Sequence, residues 1–355
     1  MIRCLHVIGS KQSGGAERFY CRLVNALHET TGTILAALPP QSTLREALNS
    51  QVPQKPIPMR NVWDPWARWR IRQLIRDYQP EIVQTYMGRA TRLTRIPGKV
   101  GPIHIARLGD YYNLKGYRHA HAWVGNTRGI CQYLVQQGMP AARVFHISNF
   151  VDLPLPTKPT LLHQLKVELT IPEDAWVLLT VGRLHPVKGF EDLLAAFALL
   201  PRSIAGRPVH LLIAGDGPLR QELQVKAANL RLEGRVHWGG WQQNPSVFYQ
   251  LADIFICPSR HEPLGNVILE AWSHGKPVIA TNTQGAQELM TPTENGWITP
   301  NADPKALSKA ISALLADEAL QAQLGKNGLA TLQRNHSREA IVTAYLNLYS
   351  QLLGH

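Results

Sequence analysis

Two glutamates, Glu262 and Glu270, stand eight residues apart in the stretch SRHEPLGNVILEAW. Glu262 falls in a turn after the apolar run DIFICPS, and Glu270 falls inside the helical segment that follows. As a general acid and base they would move protons. As hydrogen-bond acceptors they would grip sugar hydroxyls, and holding a vicinal diol needs no proton transfer. A cap or salt bridge is the structural alternative for Glu270, although ILEAW makes an apolar helix face on which a glutamate is unusual. Between the carboxylates, Pro263-Leu264-Gly265-Asn266 is expected to open the helix. Its first N–H groups, from Leu264, Gly265, Asn266 and Val267, would form an anion site. One extended ligand could then touch both carboxylates and the anion site.

Three further stretches suit a phosphorylated ligand. VGRLHPVKGF sets Arg183 just past an apolar run and Lys188 before the next helix. Two cations at one strand end can hold a diphosphate, Arg as a fork and Lys as a point charge; the alternative is a pair of solvated surface charges. IAGDGPL puts Gly215 at a second strand end, where glycine lets a nucleotide approach the backbone, while Pro218 suits a first helical position. GSKQSGGAER sets Gly14 and Gly15 between a strand and a helix whose N-terminus favours an anion, or forms only a tight turn. The spacing is not G-x-G-x-x-G and no acidic residue closes a second strand, so a dinucleotide site is not expected.

The elements that must position these residues alternate. CLHVIG, TILAAL, EIVQTY, HIARL, WVGN and VFHISN read as strands, with helical periods between them, among them TLREALNS and DPWARWRIRQLIRDY. FVDLPLPTKPT is proline-rich and reads as a linker. The alternation then restarts with WVLLTVGRL, VHLLIAGDG, VHWGG, DIFICPS, PVIAT and GWIT. Such a pattern predicts two doubly wound α/β domains facing a cleft, with ligands beyond the carboxyl ends of the strands. A chain of 355 residues is also long for one core.

No apolar run approaches a membrane-spanning length, and the opening MIRCLHVIGS lacks the flanks of a signal peptide, so a cytoplasmic protein is expected. Cys4, Cys21, Cys131 and Cys257 are scattered and expected to be reduced thiols. The charge is uneven. Residues 1–160 hold 21 Lys+Arg against 8 Asp+Glu, and residues 161–355 hold 16 against 17. The first half is therefore expected to meet something anionic: a phospholipid surface, a phosphorylated acceptor or nucleic acid.

As a set, RHEPLGNVILEAWSHGKPVIAT, GGAE, VGRLHPVKG, IAGDGPL and HISNFVD resemble the blocks of the retaining GT-B glycosyltransferases of family 4, in that family's order and over nearly the whole chain. The resemblance implies a GT-B fold with two Rossmann-like domains, residues 1–152 binding the acceptor and 153–336 binding a nucleotide-sugar donor. A C-terminal helix, 337–355, would cross back to the first domain. It further implies Arg183 and Lys188 on the diphosphate, Glu270 on the ribose and Glu262 on the transferred sugar, assisted by backbone N–H groups from Leu264 to Val267. No cofactor or metal is expected, and there is no D-x-D triplet.

The chain departs from the family at one place. Many members carry a histidine after a strand of the first domain, where this chain has Arg107 to Asp110; His104 lies upstream, inside the expected strand. Arg107 or Asp110 is expected to shape the acceptor site. The segment NVWDPWARWRIRQLIRDYQP interleaves Trp63, Trp66 and Trp69 with Arg68, Arg70, Arg72 and Arg76, and Arg89, Arg92, Arg95 and Lys99 follow. A basic helix with tryptophans reads as lying in a headgroup layer, or as packing its tryptophans on its own sheet. The chain also resembles enzymes that build the lipopolysaccharide core or related envelope glycans, which implies an anionic lipid-linked or glycan acceptor at the inner face of the cytoplasmic membrane. The rival readings are a nucleotide-sugar 2-epimerase on the same fold and a non-catalytic sugar- or nucleic-acid-binding homologue. No nucleic-acid reading motif is present, and no nucleic-acid partner is expected.

Overall fold

The computed structural model describes residues 2–11, 14–96 and 101–354. Lys99 and part of the glycine loop before Gly14 lie outside the described residues. The chain divides into two units, Met1–Phe150 with Ser337–His355, and Val151–His336.

The first unit is built on seven strands: β1 (Cys4–Ile8), β2 (Ile34–Leu38), β3 (Gln54–Pro56), β4 (Ile82–Tyr86), β5 (Ile103–Leu108), β6 (Ala122–Gly125) and β7 (Val144–His146). They pair in parallel in the order β3-β2-β1-β4-β5-β6-β7, so the winding reverses between β1 and β4. Both faces of such a sheet are covered, which is why β1, β2 and β4 are buried along their whole length. The C-terminal helix, Arg338–Leu353, belongs to this unit and buries Tyr345 and Tyr349 in its core.

The second unit carries β8 (Trp176–Val181), β9 (Ser203–Ile204), β10 (Arg207–Ala214), β11 (Val236–Gly240), β12 (Ile254–Cys257), β13 (Val278–Thr281) and β14 (Trp297–Thr299). The parallel order is β11-β10-β8-β12-β13-β14, with the short β9 antiparallel to β10. Here the winding reverses between β8 and β12. That is the point where open α/β sheets leave a crevice beyond their strand ends.

Several elements differ from the sequence reading. β3 and β9 are short pieces that no apolar run announces. TLREALNS yields only the four-residue helix Leu44–Ala47. Within and beyond the proline-rich segment, the helix Pro159–Glu168 starts on a proline at its first position, where the missing N–H removes no helix hydrogen bond.

Candidate active site

The switch point of the second sheet gathers the charged candidates. Lys188 closes the short helical turn Pro186–Lys188 beyond β8, and Glu262 follows β12. Lys188 Nζ donates to Glu262 Oε2 at 2.5 Å, with the carboxylate side chain 11% exposed and the ammonium-bearing one 26%. Ser259 Oγ donates to the same oxygen at 3.2 Å. Arg183 is exposed two residues past β8.

The two strand-end loops are fastened to each other. The N–H groups of Arg260 and His261 both donate to Val187 O, at 2.8 and 3.1 Å. The Arg260 guanidinium forks onto Asp192 at 2.7 and 2.8 Å and also faces Glu191 at 3.8 Å. Asp192 sits in the first turn of the helix Phe190–Ala198. Gly189 makes this approach possible. Its φ is 66°, and a Cβ there would stand 1.9 Å from Pro258 O. Any other residue would push the Lys188 loop off the Glu262 loop.

The helix that carries Glu270 spans Asn266–Ser273. It starts later than the proline rule predicts. Pro263 and Leu264 precede it, and Gly265, at φ 90°, is its N-cap. Leu264 is therefore a buried apolar anchor outside the first turn, which corrects its expected place among the helix-start N–H groups. The Ile268 N–H already bonds Gly265 O at 2.9 Å. Asn266 and Val267 are the first two residues of the helix. Glu270 is buried, and its Oε2 accepts from Tyr249 O–H at 3.3 Å; Tyr249 in turn stacks on His274. Gly285 N–H donates to Glu262 O at 2.7 Å, bracing the turn from the segment after β13. Burial pushes the nearby Cys257 thiol up to about 11, so it stays protonated.

Gly215 is also required by the chain's own packing. Its φ is 151°, and a Cβ would lie 1.9 Å from Gly182 O, so the close backbone approach is made to the chain itself. Gly215 N–H bonds Gly240 O at 2.7 Å, joining the ends of β8, β10 and β11 into one floor. Sequence reasoning missed Tyr249, Ser259, Asp192, Arg260 and Gly285. Only the last two had a local signal: an arginine beside Glu262 and a glycine past a strand.

The remaining candidates lie in the first unit. Gly14 caps the helix Gly15–Thr31 in extended backbone, against the buried Glu17; a Cβ on Gly14 would meet Glu17 Oε2 at 2.7 Å. Asp110 lies just past β5 and accepts from Tyr111 N–H. Arg107 is only 3% exposed. Its guanidinium donates to Asn149 Oδ1 and to Tyr345 O–H, and lies 4.1 Å from the Phe19 ring centroid. It joins the C-terminal helix to β5 within the first unit. His104 is buried in β5, as read, on Thr85 Oγ1 at 2.9 Å. Met87, directly after β4, holds φ at 63°, a strained value for a non-glycine residue at this sheet's own switch point. Trp63, Trp66 and Trp69 are 73%, 70% and 53% exposed, so they do not pack on their sheet. Among the described residues no group of three or more His, Cys, Asp or Glu side chains is gathered for a metal ion, and no helix is long and apolar enough to cross a membrane. The four cysteines are free.

Both units are Rossmann-like, and cations and carboxylates meet at the switch point of the second. Residues 13–154 match the family profile Glycosyltransferase Family 4, and residues 163–331 match Glycosyl transferases group 1. The chain is 34% identical over 340 residues to the lipopolysaccharide core biosynthesis glycosyltransferase LpsE of Rhizobium meliloti (strain 1021), covering 95% of this chain and 96% of that one. It is 32% identical to LpsD of the same organism, over 95% of each. Among solved structures it is similar to Anabaena HepE in complex with UDP and glucose, at a TM-score of 0.84 and 21% identity over 99% of this chain and 100% of that one. The chain belongs to the family 4 glycosyltransferases.

Proposed function

We propose that this glycosyltransferase moves a sugar from a nucleoside-diphosphate sugar to an anionic, lipid-linked or glycan acceptor of the lipopolysaccharide core or a related envelope polysaccharide, with retention and without a metal. The single observation that carries the donor site is the Lys188–Glu262 pair at the β8/β12 switch point, beside the N-terminus of the helix that holds Glu270. Lys188 and Arg183 take the diphosphate, Glu262 the transferred sugar, Glu270 the ribose, and Asn266 and Val267 N–H groups a phosphate oxygen. The charge that a metal would otherwise neutralise falls to the two cations and the helix N-terminus. The bond from the anomeric carbon to the phosphate oxygen breaks, and the acceptor oxygen bonds that carbon on the same face. The acceptor's proton passes to the departing phosphate.

The named relatives act in lipopolysaccharide core biosynthesis, and Anabaena HepE was captured with UDP and with UDP-glucose; both support the reading. The basic first half supplies the charge for an anionic acceptor, and the protein would work in the cytoplasm, held peripherally at the inner face of the membrane. The test is a panel of UDP-, GDP- and ADP-sugars incubated with the pure protein, with and without EDTA. Released nucleotide, insensitive to EDTA, is expected with one donor class. Conversion of the sugar without release would favour a 2-epimerase, and no response to the panel would overturn the reading. With an acceptor in hand, the anomeric configuration of the product, read by NMR, tests retention.

A further inference from the structure

The helix Pro65–Tyr78 turns Ala67 and Ile71 into the core, while Trp66, Trp69, Arg70, Arg72 and Arg76 are exposed. Asp64 starts the helix by accepting from Ala67 N–H at 3.0 Å, which fixes Trp63 just ahead of it. The Trp66 and Trp69 rings meet edge to face at 5.9 Å, and the Arg68 guanidinium lies 6.0 Å from the Trp63 ring centroid. Three large amphipathic rings therefore stand in water along and just ahead of one helix, interleaved with arginines, and exposed Asp77 is the lone carboxylate of that helix. Trp and Arg are each enriched in protein-binding patches too, but the fully buried core of such a patch carries little charge. A surface that interleaves indoles with arginines instead matches the boundary of an anionic bilayer, where indoles sit at the headgroup level and arginines meet phosphates.

We infer that Trp63, Trp66 and Trp69, with Arg70, Arg72 and Arg76, form the docking surface that seats this protein on an anionic phospholipid bilayer. The inference rests on the reading of a membrane-carried acceptor for its purpose, and on that surface itself for its physics. Aromatic insertion supplies apolar burial, the arginines supply attraction to anionic headgroups, and neither alone gives firm attachment.

The experiment sediments the full chain with vesicles of phosphatidylcholine alone and of equimolar phosphatidylcholine and phosphatidylglycerol. Binding is expected to the anionic vesicles only, with a blue shift of tryptophan emission, and should weaken as salt is raised. A triple variant with Arg70→Gln, Arg72→Gln and Arg76→Gln should lose roughly a hundredfold in partitioning, at about one kcal/mol per arginine. A triple variant with Trp63→Ser, Trp66→Ser and Trp69→Ser should lose at least about tenfold. Both replace exposed side chains, and both should keep the wild-type melting temperature and nucleoside-diphosphate affinity. If the wild type ignores anionic vesicles, binds neutral ones equally, or is matched by both variants, the surface assignment is overturned. Nucleotide affinity in the same preparations tells that failure from failure of the sugar-donor reading.

Discussion

Lys188 Nζ stands 2.5 Å from Glu262 Oε2, so two groups assigned to different parts of one sugar donor are also partners of each other. Removing either leaves the other as a half-buried charge without its counter-ion, in addition to losing its ligand contact. Lys188→Ala should lower turnover at least a hundredfold, about 3 kcal/mol of lost stabilisation of the departing diphosphate. Arg183→Ala, which removes the second cation, should do the same. The Lys188→Ala/Glu262→Ala double variant should fall short of the sum of its single losses by about 0.5–3 kcal/mol. Steady-state kinetics on the four proteins of the cycle measure this. Strict additivity would mean that the two side chains act on the sugar donor independently, and the pairing would then be structural.

Glu262 and Glu270 should fail differently. Glu270 is fixed in the helix by its Tyr249 hydrogen bond, and it is assigned to the ribose. Glu270→Ala should weaken free nucleoside diphosphate and the intact sugar donor alike, because both contain the ribose. Glu262→Ala should weaken the intact donor without weakening free nucleoside diphosphate, because the Lys188 charge it releases still attracts the diphosphate. The loss of a charged hydrogen bond, roughly 1.5–3 kcal/mol, is resolvable by calorimetry. Equal loss of nucleoside diphosphate in both variants, with folding intact, would end this division of labour.

The strands were legible because a parallel sheet covered on both faces leaves near-continuous apolar runs, as in CLHVI and VIAT. The motifs were legible because they lie at the ends of those runs. The site's pairing was not, since Lys188 and Glu262 are 74 residues apart and no local period links them. The helix start was misplaced because Pro263 is a good first residue by rule, whereas the left-handed Gly265 sets the actual cap. Arg107 was legible only as lying near a strand end. Its partner Tyr345 comes from 238 residues away, beyond any pattern in its own segment. The tryptophans were ambiguous for a different reason. Their i, i+3 spacing suits either side of a helix, and Ala67 and Ile71 decide which side turns inward.

Asp192 is expected to act through position. It touches none of the groups assigned to the sugar donor, yet it forks Arg260 and thereby holds the Glu262 turn against the Lys188 loop. Asp192→Asn should lower kcat about tenfold, the effect of about 1.4 kcal/mol of lost alignment, with a smaller change in KM. Asp192→Glu, which keeps the charge, should recover part of it. A purely structural ion pair predicts a lower Tm with kcat unmoved, and a Tm and kcat measurement on both variants separates the cases.

Acid should loosen both units through their buried histidines. His6 is fully buried on Tyr86 O–H at 2.9 Å, and burial pulls its imidazole down to about 3. In the second unit His210 lies 2.8 Å from His237, and burial, followed by that neighbour and Arg235, pulls it down to about 4. His104, buried beside His119 and His121, is shifted the same way. Each group has a folded value below its unfolded one of about 6.5, so the unfolded chain binds more protons below that pH. The stability from neutral histidines is therefore complete above about pH 6.5 and is lost as pH falls toward 4 for His210 and toward 3 for His6. Tm measured from pH 8 to pH 4 should hold in the upper part of that range and then drop steeply. His6→Gln, which keeps a partner for Tyr86 but cannot titrate, should flatten the drop of the first unit alone, and His210→Asn that of the second. A wild-type Tm independent of pH between 6.5 and 4, or variants with wild-type slopes, would show that these histidines are already protonated in the folded protein.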